Sequence, residues 1–312
     1  MTIGIGRKFG RRMVIATDTM ITDKDEGRAD SIPGRLKGIV LSPCVSVAYA
    51  GDADPALFAI RRAHQRLTET GNIEEVAAIL VNASSRADID VEFILAFHES
   101  GLPSLHKISA LGISDDLDNC FIGDAQVVRD VLNGEQSQSA QAFPNLGIEG
   151  EEIRFHSAFH ALFTDRGTQI NRGVGGLPIT VIASPYGHTY QGHAISVAWD
   201  TIDLAVGITP EQHVRQRAGE TAWTYNVIDG SLRGVAVVGV ALPQAGLGFV
   251  YSPISRDDAE LIRVRLPDTP DFIDPTALLE AVSARVNELR EADGSGVEEL
   301  ESPWDEPDFK AE

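Results

Sequence analysis

The sequence predicts an α+β protein, a four-layer αββα sandwich of two antiparallel sheets between pairs of helices, with a C-terminal extension. Three observations predict it. Runs rich in β-branched residues recur in pairs joined by short polar turns, as in hairpins. Helical periods also arrive in pairs. The order strands, two helices, strands, two helices, strands is neither alternating βαβ nor all-β.

Each element has its own signal. Residues 3–6 and 13–17 form a hairpin across the turn Arg7-Lys8-Phe9-Gly10-Arg11-Arg12, and 34–41 pairs with 45–50 across Ser42-Pro43. After Gly51 the period turns helical. Leu57, Ile60 and Leu67 share a face on 55–69, with Asp54 as N-cap before Pro55, and Ile73, Val76, Ala77 and Leu80 share one on 72–84. Strands follow at 91–97, 104–109 and 119–122, then a helix at 125–132, a polar Gln/Ser-rich insertion at 134–150 and a helix at 155–170. Residues 178–183 and 192–199 read as a strand pair across Ser184-Pro185-Tyr186-Gly187. Beyond Thr209 come a helix at 210–225, strands at 234–242, 248–252 and 261–266, and a helix at 274–290. The chain divides into a sandwich domain at 1–205, an appended α/β region at 206–290 packed on it, and a disordered acidic tail at 291–312.

Bulk properties exclude several classes of function. A formal charge of −20 over 312 residues repels nucleic acid and anionic membrane, so neither is expected as a partner. No run approaches the ~18 apolar residues of a membrane span, and the start lacks an export signal, so a cytoplasmic location is expected. Cys44 and Cys120 sit in apolar stretches and read as buried thiols. No cofactor and no metal are expected. Gly4, Gly6 and Gly10 miss the dinucleotide spacing, Gly173-Val174-Gly175-Gly176 lacks a phosphate-loop lysine, and His156 and His160 lack the glutamate of a zinc helix. Those histidines, with His188 and His193, read as core or surface residues, and Arg7, Lys8, Arg11 and Arg12 as a solvated turn.

The chemistry begins at Met1-Thr2. If Met1 is removed, Thr2 carries a hydroxyl nucleophile and a free amine on one residue, and an α-amine has a pKa of about 8, low enough to accept a proton near neutrality. Strand one, the end of strand two and the start of strand three can lie side by side, bringing Thr2, Asp18 and Lys37 together. A lysine ammonium there would lower the hydroxyl's pKa and disfavour protonation of the amine, with Asp18 holding the lysine.

With these residues the chain resembles the β-type subunits of the proteasome family of N-terminal nucleophile (Ntn) hydrolases. The resemblance lies in Thr2-Ile3-Gly4-Ile5, in Val14-Ile15-Ala16-Thr17-Asp18-Thr19, in Arg35-Leu36-Lys37-Gly38-Ile39, and in Val47-Ala48-Tyr49-Ala50-Gly51-Asp52-Ala53-Asp54. It covers residues 2–200 in element order and is specific over the first sixty. It implies a threonine hydrolase that cleaves peptide or other amide bonds through an ester on Thr2, with the Gly51 N–H as oxyanion donor. It further implies peptide or protein substrates, a homo-oligomer that forms rings, and an ATPase partner. The chain departs from the family's supporting polar groups, for Gly123 is followed by Asp124 rather than serine, and alignment on Gly175-Gly176 gives Asn171 and Val174. Asp124, Asn171 and Asp165 are the candidate supporting residues. The alternative is a catalytically inactive scaffold or assembly subunit that acts by protein binding.

Overall fold

The computed structural model describes residues 2–23, 28–30, 33–137, 150–163, 173–198, 222–231, 234, 236–243, 246–264 and 275–293. The chain runs through β1 (Ile3–Phe9), β2 (Arg12–Thr17), the ribbon β3 (Ile21–Asp23) and β4 (Arg28–Asp30), β5 (Gly38–Ser42) and β6 (Val45–Gly51). Helices α1 (Ala53–Thr70) and α2 (Ile73–Ser84) follow, then β7 (Val91–Glu99), β8 (Leu102–Ser109), β9 (Gly112–Ser114) and β10 (Asn119–Gly123). Next come α3 (Ala125–Ser137), α4 (Gly150–Ala161), β11 (Ile179–Ser184), β12 (Gly187–Tyr190), β13 (His193–Ala198), β14 (Ala222–Asp229), β15 (Val238–Leu242), β16 (Leu247–Tyr251), β17 (Glu260–Arg263) and α5 (Pro275–Asp293). Mixed α and β content is therefore observed, with three five-stranded antiparallel sheets ordered β10-β1-β2-β11-β12, β5-β6-β7-β8-β9 and β13-β14-β15-β16-β17.

Alternation along the strands decides what each face meets. In β2, Met13 and Ile15 join a core with Val47, Phe93 and Ile94 of the second sheet, while Val14 and Ala16 join Val127, Val131, Phe155 and Phe159 of α3 and α4. The Ile-Gly-Ile-Gly start of β1 follows the same rule. Ile3 and Ile5 face the α3–α4 side, and on the other face a Cβ at Gly6 would lie 3.0 Å from Leu105 Cδ1. Helices α1 and α2 add Leu57, Ile60, Val76 and Leu80 to the core shared with the second sheet. The third sheet packs α5 on one face through Val250, Leu278, Val282 and Val286, and turns Phe249 and Tyr251 toward the main core.

Several sequence expectations are corrected. The strand at 192–199 does not pair with β11. The tight turn between Ser184 and Gly187 sets β12 beside β11, and β13 pairs with β14 in the third sheet, so that sheet starts before residue 205. Residues 222–225, expected as helix, lie in β14, and 210–221 fall outside the described residues. Helix α3 extends into the expected insertion, and α4 begins at Gly150, with 164–170 outside the described residues. Helix α5 runs to Asp293, and 294–312 are likewise not described. The N-cap of α1 is Asp52, because the Asp54 carboxylate instead meets Arg35. Cys44 is exposed, for its turn leaves the sheet, whereas Cys120 is buried. The basic turn is not merely solvated. Arg7 pairs with Glu135 at 2.6 Å and Arg12 with Glu152 at 2.9 Å, tying the β1–β2 hairpin to α3 and α4.

At the hairpin end the first and second sheets are linked by a directional chain of hydrogen bonds. His98 Nε2 lies 2.9 Å from Arg11 O, His98 Nδ1 lies 3.0 Å from His188 Nε2, and His188 Nδ1 lies 2.8 Å from Ser46 Oγ. A carbonyl only accepts, so with neutral rings every proton points one way, from Ser46 O–H toward Arg11 O. Burial, reinforced by the neighbouring His98, pushes His188 down to about 3. The folded-state pKa lies below the unfolded value near 6.5, so this contribution to stability is complete above pH 6.5 and is lost as pH falls. Between pH 7.5 and pH 5.0 the protein should lose about 2 kcal/mol through His188. Urea unfolding at the two pH values checks this, and the loss should shrink in His188→Gln.

Candidate active site

The site lies at the other end of these two sheets. The β1–β2 register sets Gly4 opposite Thr17, so the residues just before β1 and just after β2 are neighbours, and Asp18 N–H donates to Ile3 O. The lead into β5 joins them, because Lys37 O accepts from Tyr49 N–H of β6 at 3.1 Å. The chain thereby brings Thr2, Asp18 and Lys37 together, at 4%, 0% and 2% exposure.

Lys37 Nζ lies 2.5 Å from Thr2 Oγ1, 2.8 Å from Asp18 Oδ1 and 2.5 Å from Met20 O. The three ammonium donors thus have three acceptors. Asp18 is equally satisfied, its Oδ1 also accepting from Ile3 N–H at 3.2 Å and its Oδ2 from Gly175 N–H at 3.1 Å. Burial pushes the Asp18 carboxyl above its usual range and the Lys37 ammonium below its own, while their mutual attraction opposes both shifts. The result is a cation on the threonine oxygen with no water layer between them, an arrangement that favours the alkoxide.

The remaining candidates take different places. Gly51 ends β6 with φ 101°, where a Cβ would lie 1.8 Å from Asp90 O, so any other residue is strained there. Asp52 N–H donates to Asp90 O on the β7 side and Tyr49 N–H to Lys37 O on the β5 side, so the ladder alternation directs Gly51 N–H to the β5 side. β5 pairing begins at Gly38, opposite Ala48, so Gly51 lies beyond the β5–β6 ladder. Asp124 acts on Thr2 through its backbone, with its N–H on Thr2 O at 3.0 Å, whereas its carboxylate accepts from Gln126 and Val127 N–H at the start of α3. Gly123 allows that approach, since its Cβ would lie 1.8 Å from Thr2 O. Asp165 and Asn171 lie outside the described residues, and Val174 is buried in the α3–α4 core. Met20 O and Gly175 N–H are site groups that sequence reasoning missed. The Gly175-Gly176 pair was the one available signal.

Among the described residues no group of three metal-ligating side chains occurs, and no helix is long and apolar enough to cross a membrane. No family model matches the chain, and no curated protein does.

Replacing Lys37 by methionine would leave the Asp18 carboxylate buried without a counter-charge. Such truncations destabilise by about 3–5 kcal/mol. Without the lysine the folded-state pKa of Asp18 lies further above its unfolded value, so the lost stability is largest above that folded pKa and returns as pH falls through it. Urea unfolding of Lys37→Met at pH 7.5 and 5.0, read against wild type, should show the larger deficit at pH 7.5.

Proposed function

We propose that the chain is an N-terminal threonine hydrolase of the proteasome β-type, built as a four-layer αββα sandwich and acting on peptide or other amide bonds. One observation carries the reading: a buried lysine ammonium, itself held by a buried carboxylate, in hydrogen-bond contact with the hydroxyl of Thr2.

Cleavage of the Met1–Thr2 bond frees the amine. Thr2 Oγ attacks the substrate carbonyl carbon and gives its proton to the Thr2 amine, while Lys37 stabilises the developing alkoxide. The carbonyl oxygen becomes the oxyanion, for which Gly51 N–H is the donor. As the tetrahedral intermediate collapses, the C–N bond breaks and the departing amine takes the proton from the Thr2 ammonium, leaving an ester on Oγ. Water, deprotonated by the same amine, attacks the ester; breaking the C–O bond restores Thr2 and releases the acid. Lys37 keeps its charge throughout, and Asp18 keeps Lys37 in place.

Intact mass first establishes whether Thr2 is the terminus, and a β-lactone should then add its mass to the N-terminal peptide. Thr2→Ala should abolish both labelling and amide hydrolysis while losing about 2–3 kcal/mol of stability, the worth of one buried hydrogen bond to a charged group. Hydrolysis that survives Thr2→Ala would refute the assignment.

A further inference from the structure

We propose that Tyr251, carried by β16 of the third sheet, is a positioning residue for the Thr2–Asp18–Lys37 site, so that the C-terminal region is a working part of the active centre. The inference rests on the hydrolase reading above. Alternation along β16 sends Gly248 and Val250 toward α5, and Leu247, Phe249 and Tyr251 toward the sandwich. Tyr251 is 3% exposed, and its hydroxyl donates to Pro33 O at 2.5 Å. That commits the phenolic proton, and the Thr19 hydroxyl is the other polar group beside that oxygen. Thr19 Oγ1 in turn accepts from Leu177 N–H at 2.9 Å. Thr19 and Tyr251 thus lie side by side, the first held by Leu177 and the second holding Pro33.

Each of the three stretches so joined carries part of the site. Thr19 stands between Asp18 and Met20, whose carbonyl takes the Lys37 ammonium. Pro33 leads within four residues into Lys37. Leu177 closes the stretch in which Gly175 N–H holds Asp18. Backbone bonds brace the same stretches, Arg35 N–H to Thr19 O at 2.7 Å and Met20 N–H to Gly175 O at 3.1 Å. Removing the Tyr251 hydroxyl leaves the Pro33 carbonyl without its donor, and lets the lead into Lys37 shift against the carbonyl and carboxylate that aim it. Productive geometry tolerates only about 0.5 Å of such movement.

The test uses the full chain as Tyr251→Phe, with Thr19→Val and Thr19→Ser beside it. Three quantities are followed: the rate of β-lactone labelling at Thr2, the NMR titration of Lys37 in selectively labelled protein assigned with Lys37→Met, and the unfolding midpoint. Tyr251→Phe should remain folded and label roughly 10-fold more slowly at saturating lactone, with an unchanged half-saturating concentration. Its Lys37 titration should move up toward that of an ordinary lysine. Thr19→Val should reproduce the defect without adding to it in the double variant, and Thr19→Ser should restore wild-type behaviour. Should Tyr251→Phe fail to fold, Thr19→Val reads the same contact. Wild-type labelling and an unmoved Lys37 titration in Tyr251→Phe overturn the inference and leave the hydrolase reading intact. A wild type that never labels, combined with a shifted Lys37 titration in Tyr251→Phe, refutes the hydrolase reading and leaves the positioning role standing.

Discussion

A single buried ammonium constrains the rest of this structure. Lys37 is 2% exposed, and a charge so far from water is tolerable only when each donor has an acceptor and a counter-charge lies beside it. Meeting that condition requires Asp18, Met20 O and Thr2 Oγ1 to converge on one point. Convergence in turn fixes the start of β1, the end of β2 and the lead into β5 against one another. Stability alone gives no reason for the pair, because well-packed apolar residues in its place are often neutral or better. The contact between the ammonium and a hydroxyl is what gives the charge a use.

The two ends of the first and second sheets solve the problem of burying polar groups in opposite ways. At the Thr2 end the network is ionic, with each charge neutralised by the other. At the hairpin end Ser46, His188 and His98 are held neutral, and order comes from the direction of the protons. A proton added to His98 Nδ1 would face the N–H of His188, so the neutral network is the one that acid breaks.

What was legible in the sequence was what periodicity and spacing encode. The double alternation of β2, the paired helices α1 and α2, and the meeting of Thr2, Asp18 and Lys37 follow from local pattern plus hairpin register. Features decided by tertiary competition were not legible. Asp54 has the local marks of an N-cap, but Arg35 takes its carboxylate and Asp52 occupies that position. Arg7 and Arg12 look like a solvated turn until α3 and α4 bring Glu135 and Glu152 within reach. Met20 and Gly175 act through backbone groups, which have no residue-type signature. A tyrosine in a strand signals nothing about a partner 218 positions away.

The third sheet joins the other two through a shared core and through β12, which borders the edge of the second sheet. β5 is an edge strand of the second sheet, and an uncovered edge presents unpaired amides. Here Val40 N–H donates to the phenol of Tyr190, and the backbone N–H of Tyr190 is in turn held by Asp229, at the end of β14. The hydrophobic core is continuous across that junction, running from Ile60 of α1 through Ile39 and Val40 to Val240 and Phe249. Both faces of β16 are therefore occupied, one by α5 and the other by the sandwich that carries the site. A chain cut near residue 205 would leave β13 without the strand that pairs with it and remove Tyr251 from beside Pro33. The lysine would then rest on a lead-in segment braced from one side only.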